Sequence, residues 1–138
     1  MEILKKAETF LEAWTAHGKA LKACIGIFYA RFVIIFVDEK QALASGCSID
    51  KALHFIQSLE REFVIKLLDR MLVAYRNENE ICSCTMPVFR NLIETNEVNE
   101  NTIVFNNLVS TKADFESKWE APLKDSWHWS SFLNEKEL

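Results

Sequence analysis

The chain has 138 residues, with 16 Lys plus Arg against 20 Asp plus Glu and a formal charge of −4, a size that predicts one domain over 1–138 rather than two. Hydrophobic residues make up 49% of it, including 10 Phe and 4 Trp, enough bulk for a core that needs neither disulfide nor metal. The acidic balance, with no basic run longer than Lys5-Lys6, argues against a general nucleic-acid binder, because phosphate affinity comes from clustered Lys and Arg.

Only 3 Gly and 2 Pro are present, which speaks against long disordered linkers and Gly-rich phosphate loops. The longest apolar run, Phe32 to Val37, is six residues, where a membrane-spanning helix needs about twenty. Residues 1–20 carry charges throughout and lack the apolar stretch and small-residue cleavage site of a signal peptide. The expected location is therefore cytoplasmic, with no membrane partner. In that compartment Cys24, Cys47, Cys82 and Cys84 are expected to be reduced.

Along the chain, Ile3, Leu4, Ala7, Phe10, Leu11 and Trp14 recur at helical spacing with Lys5, Lys6, Glu8 and Glu12 off the stripe. This predicts an amphipathic helix over 2–17, ended by His17 and Gly18. From Leu21 to Tyr29 the period changes to alternation, which predicts a strand. Phe32 to Val37 predicts a second strand, buried on both faces. A tight hairpin near Ala30-Arg31 joins them, although neither residue is a favoured turn former.

Ile49, Leu53, Ile56 and Phe63 predict a helix over 49–62, with Ser48 as N-cap and Asp50 in the first turn. Met71–Tyr75 and Ile81–Thr85 predict two strands around the polar turn 77–80. Pro87 fits the opening of a helix carrying Val88, Phe89, Leu92 and Ile93. Thr102–Val109 predicts a fifth strand. Thr111 with Asp114 three residues on predicts a capped helix through Trp119, stopped by Pro122. The tail, with Trp127, His128, Trp129 and Phe132, is too apolar to be solvated and is expected to pack back on the body. The sum is an α+β fold: an antiparallel or mixed sheet of about five strands with about four helices on it.

Four segments occur in order: Trp14-Thr15-Ala16-His17-Gly18; Ser45-Gly46-Cys47-Ser48-Ile49-Asp50; Asn101-Thr102-Ile103-Val104-Phe105-Asn106-Asn107-Leu108-Val109; and Asp125-Ser126-Trp127-His128. In these the chain resembles a family of small proteins from Bacteroidota that often carry the label "ABC transporter ATPase". The resemblance runs through nearly the whole chain. Hydrolysis of that kind needs a Gly-rich loop ending in Gly-Lys-Ser/Thr to hold the phosphates. With Gly18, Gly26 and Gly46 the only glycines, such a loop cannot be built. The resemblance also implies a strand-like segment ahead of Met1, with a Tyr-Gln pair and an Arg. Its loss would leave a sheet edge through which copies could associate.

Among residues that carry chemistry, Cys47 stands out. A helix N-terminus lowers a thiol pKa, and its free N–H groups can hold an anion. This makes Cys47 the candidate nucleophile, with Ser45, Gly46, Ser48 and Asp50 as candidate ligand or anion contacts. The plainer reading is a capped helix with a small gap-filling cysteine. His54 lies seven residues beyond Cys47, about 10 Å along a helix axis, so a base would have to come from His17 or His128.

Cys82 and Cys84 share a strand face, and with Cys47 and a His they could complete a tetrahedral zinc site. Their spacing lacks the usual two to four intervening residues, so no metal is assigned. Asn106 and Asn107 interrupt an apolar strand, where an amide bridges backbone groups across a bulge or, together with Trp127 and His128, lines a pocket shared with Cys47. No cofactor is implied. The leading expectation is a non-catalytic binding or protein-interaction domain centred on Ser45–Asp50, its partner a protein or a small anionic ligand. The alternative is a thiol-dependent enzyme using Cys47.

Overall fold

A computed structural model describes residues 2–16, 19–39 and 45–136, and in it the protein is α+β with every strand pairing antiparallel. The chain divides into two compact units, Met1–Asp69 and Arg70–Leu138. The strands are shared among a two-stranded ladder, a hairpin and a four-stranded sheet, so the expected strands belong to more than one sheet. Among the described residues no helix is long and apolar enough to cross a membrane.

The first unit opens with α1 (Glu2–Ala13). Ala7 is buried, Ile3, Leu4, Phe10 and Leu11 are half-buried, and Lys5, Lys6, Glu8 and Glu12 are exposed, as the helical stripe requires. The helix ends four residues earlier than expected, and the His17-Gly18 stop signal lies outside the described residues. Trp14 therefore sits just past the helix, with its ring 3% exposed. Short strands β1 (Thr15–Ala16) and β2 (Lys19–Ala20) pair with each other.

Strands β3 (Lys22–Phe28) and β4 (Phe32–Asp38) form a regular hairpin, Ile25 opposite Ile35. Ala23, Ile35 and Val37 pack with Trp14, Leu21, Phe10 and Leu11, and Ala52 joins them from the next helix. The expectation that β4 is buried on both faces does not hold: each of its residues is half-buried. At the hairpin tip Tyr29 and Ala30 both have positive φ, 55° and 52°, and the Arg31 N–H closes on the Phe28 carbonyl at 3.0 Å. Two consecutive left-handed residues match the twist of the flanking strands, which explains the tight reversal without Gly or Asn. Gly26 has its own role, since a Cβ there would lie 2.9 Å from the Phe28 ring.

Helix α2 (Gly46–Phe63) completes the unit, with Ile56 and Leu59 buried. Phe55 stacks on Phe10 of α1, centroids 4.5 Å apart and planes 3° from parallel. Lys6 and Glu62 form an ion pair, both half-exposed and so of small energetic weight. The helix stops at Val64, left-handed at φ 52° and ψ 53°, whose N–H returns to the Glu60 carbonyl. The Glu60 carboxylate accepts the N–H of Leu67 at 2.8 Å, tying down the turn that follows.

In the second unit the sheet order is β6-β5-β7-β8, built from β5 (Leu72–Asn77), β6 (Glu80–Thr85), β7 (Ile103–Phe105) and β8 (Glu120–Pro122). Val73 and Val104 share one core with Phe89 on α3 (Met86–Glu94), Phe132 on α5 (Trp127–Lys136), and Val98 and Leu123 from the segments between the elements. Phe132 is 2% exposed, so the apolar tail does fold back. On the other side of β7, Phe105 is buried beneath Trp119, ring centroids 4.9 Å apart. Trp119 follows α4 (Lys112–Lys118), capped as expected by the Thr111 hydroxyl accepting the Asp114 N–H at 3.1 Å.

Two expectations are corrected here. The strand predicted to Val109 ends at Phe105, because the Asn106 side chain accepts the Leu108 N–H at 3.1 Å and turns the backbone away. Pro122 does not stop a helix: α4 ends at Lys118, and Pro122 lies on β8, last in the sheet order, where its missing N–H breaks no ladder.

Val64 is 89% exposed and β-branched in a left-handed conformation, a poor fit for any residue with a branched Cβ. Val64→Gly should stabilise the protein by about 1 kcal/mol. The check is an increase in the urea midpoint with unchanged slope.

Candidate functional site

The segment singled out in the sequence is the start of α2, and local hydrogen bonding decides its form. Ser45, extended at φ −102° and ψ 166°, is the N-cap. Its hydroxyl accepts the Ser48 N–H at 3.1 Å, while the Ser48 hydroxyl accepts the Ser45 N–H at 2.7 Å and lies 2.8 Å from the Ser45 carbonyl. This is a capping box in which Ser fills the place usually held by Glu or Gln. The Ile49 N–H returns to the Ser45 carbonyl at 2.9 Å, the first helical bond.

The expected N-cap at Ser48 is thus corrected to Ser45, and the helix begins three residues earlier than predicted, at Gly46. Ser48 is 1% exposed, fixed by the box and by the Trp14 indole, whose N–H donates to the Ser48 carbonyl at 2.8 Å. Cys47 becomes the second helical residue and is exposed, as are Gly46, Ile49 and Asp50. The first turn holds no acidic residue, so Asp50 lies beyond it. Among the described residues a Cβ on Gly46 would meet nothing within 4 Å.

His17 lies outside the described residues. Cys47 belongs to the first unit and Asn106, Asn107, Trp127 and His128 to the second. Each of the latter four has a local task. Asn106 makes the turn after β7, and the Asn107 side-chain carbonyl accepts the Trp119 indole N–H at 2.9 Å. Trp127 stacks on His128, centroids 4.0 Å apart. His128 is 3% exposed, with Nδ1 2.9 Å from the Ser126 hydroxyl. Burial pushes its imidazole down to about 4, because a desolvated ring resists charging.

Cys82 and Cys84 are half-buried. Burial, and then Cys82, push the Cys84 thiol up. Among the described residues no group of three or more His, Cys, Asp or Glu could hold a metal ion. Sequence reasoning missed an open cleft of about 480 Å³ on the second unit, lined among others by Tyr75, Asn77, Leu92, Glu97, Val98 and Thr102. Burial raises the Tyr75 phenol, helped by Cys84, Cys82 and Glu97. No motif announces this cleft, since its residues come from a strand, a helix and two turns. Comparison of the chain with protein-family profiles, curated proteins and solved structures found no match.

The capping box can be tested directly. Ser45→Ala should cost about 1 kcal/mol of stability. Ser48→Ala should cost a similar amount, and the double variant less than the sum, because each hydroxyl serves the other's backbone. Denaturant midpoints of the four proteins measure the cycle.

Proposed function

We propose that this chain is a non-catalytic cytoplasmic binding or protein-interaction domain, related to the small Bacteroidota proteins whose motifs it shares, with the start of α2 as its contact surface. The observation that carries this reading is the exposure of Ile49 and Leu53, 58% and 41%. They are apolar neighbours one turn apart on α2 and lie just beyond the exposed Cys47. Covering such a pair gains about 25 cal/mol for each Å² removed from water. An apolar protein surface suits this face better than a small anion, because the capping box already engages the Ser48 N–H.

A photo-crosslinking side chain at position 53, compared in cells with one at the exposed Lys112, tests the surface. The reading expects a discrete adduct at position 53 that Ile49→Glu abolishes. The same adducts at both positions, or an adduct that survives Ile49→Glu, would overturn it.

The second reading, a thiol-dependent enzyme with Cys47 as nucleophile, draws support from the exposure of that thiol on the second residue of an 18-residue helix. His54, further along α2, is out of reach as its base. Timed iodoacetamide labelling near neutral pH, read by mass spectrometry, separates the cases. Cys24 and Cys47, both exposed, should label faster than half-buried Cys82 and Cys84. The enzyme reading further requires Cys47 to outpace Cys24, and equal rates at the two would remove it.

A further inference from the structure

The last helix is fastened at its start by a buried Ser–His pair. Ser126, 5% exposed, precedes α5, and its hydroxyl accepts the His128 backbone N–H at 3.2 Å while lying 2.9 Å from Nδ1 of the same residue. The Trp129 N–H closes the first turn on the Ser126 carbonyl at 3.2 Å. Four residues beyond His128 the helix delivers Phe132 against Phe89, ring centroids 5.6 Å apart. The docking of α5 therefore begins at a group that can take up a proton.

The surroundings suit only the neutral ring. His128 is 3% exposed, and as the second residue of α5 it sits at the helix end that repels positive charge. If Nδ1 also carries a proton, the Ser126 hydroxyl faces two N–H donors and must send its own proton elsewhere. Among the described residues the neighbouring elements carry Lys124 and Asp125 on the 3₁₀ turn Leu123–Asp125, both exposed, Arg90 on α3, which lies over the Phe132 ring at 5.8 Å, and the exposed Glu94 at the end of α3, while on the sheet Arg76 and Glu120 pair with each other and Glu80 is exposed. On the sheet, Tyr75 and Cys84 are raised and so neutral in acid. Burial is the cause that acts on His128.

We propose that α5 is an acid-released strap: protonation of His128 undocks the helix from the second unit and uncovers Phe132, Trp129 and the core surface around Phe89. Once undocked, the imidazole returns to its ordinary affinity for protons. The sign follows from linkage: a ring whose proton affinity is depressed when docked favours docking fully above pH 6.5 and loses that advantage as the pH falls toward 4. The undocked-to-docked ratio should rise about 30-fold between pH 7.5 and pH 5, and about 300-fold once titration is complete.

Hydrogen exchange of the full chain, corrected for intrinsic rate at each pH and read by mass spectrometry, tests the proposal. Segment 127–136 should lose protection about 30-fold between pH 7.5 and pH 5, while 72–85 keeps its own. His128→Asn, whose side-chain oxygen can still meet the Ser126 hydroxyl, should abolish the pH dependence. Unchanged protection of 127–136, simultaneous loss across the whole second unit, or the same pH dependence in His128→Asn would each overturn the proposal. If that variant does not fold, an NMR titration of the His128 ring in the unaltered protein decides the matter, because its protonation must coincide with the loss of protection in α5.

Discussion

The indole N–H of Trp14 meeting the carbonyl of Ser48 is the bond on which the first unit depends. It joins the exit of α1 to the opening of α2 across 34 residues, and it is buried. A buried indole that lost its acceptor would carry an unpaired donor, a cost of about 1–3 kcal/mol. The same contact holds the Ser48 backbone while the Ser45–Ser48 box holds its side chain, so the first turn of α2 is set from two directions. Cys47 and Ile49, on either side of Ser48, are turned outward as a result.

The four sequence motifs take on a physical meaning in this light. Trp14 and Ser48, from the first and second, meet in one hydrogen bond. The third and fourth both lie in the second unit, where they end a strand and start a helix. Thr102 accepts the Asn99 N–H at 2.9 Å, and its carbonyl accepts the Leu123 N–H at 2.8 Å just ahead of the Asp125–His128 segment. Ser45, Ser48, Thr102, Asn106 and Ser126 of these motifs are engaged in caps and turns. In the second motif Gly46, Cys47, Ile49 and Asp50 are exposed, as are Asn101 and Leu108 of the third and Asp125 and Trp127 of the fourth.

Periodicity made α1, the β3–β4 and β5–β6 hairpins and the amphipathic face of α3 legible in the sequence, because each element buries one regular face. The errors lie where a side chain bonds its own backbone. A box closed by two serines is harder to see than one closed by Glu, so Ser48 looked like a cap instead of the partner of one. The pair Asn106-Asn107, with apolar residues on both sides, looked like a strand interruption instead of a strand end. The tip at Tyr29 and Ala30 shows no turn residue, since the demand comes from strand twist and falls on whatever residues occupy the tip. For the site, the loop and its cysteine could be read, while the cleft beside Tyr75 could not, because its walls meet only after folding.

Each unit is drawn from one continuous half of the chain, and this has a consequence for synthesis. Lys6 and Glu62, partners within the first unit, are 56 positions apart, and every contact described for that unit uses residues made before Arg70. A polypeptide leaves the ribosome at about 5–20 residues per second, and units fold in order from the N-terminus. The first half can thus complete its core, including the closure of Trp14 on Ser48, several seconds before α5 exists to seal the second. A nascent chain stalled before α5 has been made would carry a finished first unit and a second-unit sheet whose core face α5 does not yet cover, the stage at which a chaperone would find the most to hold.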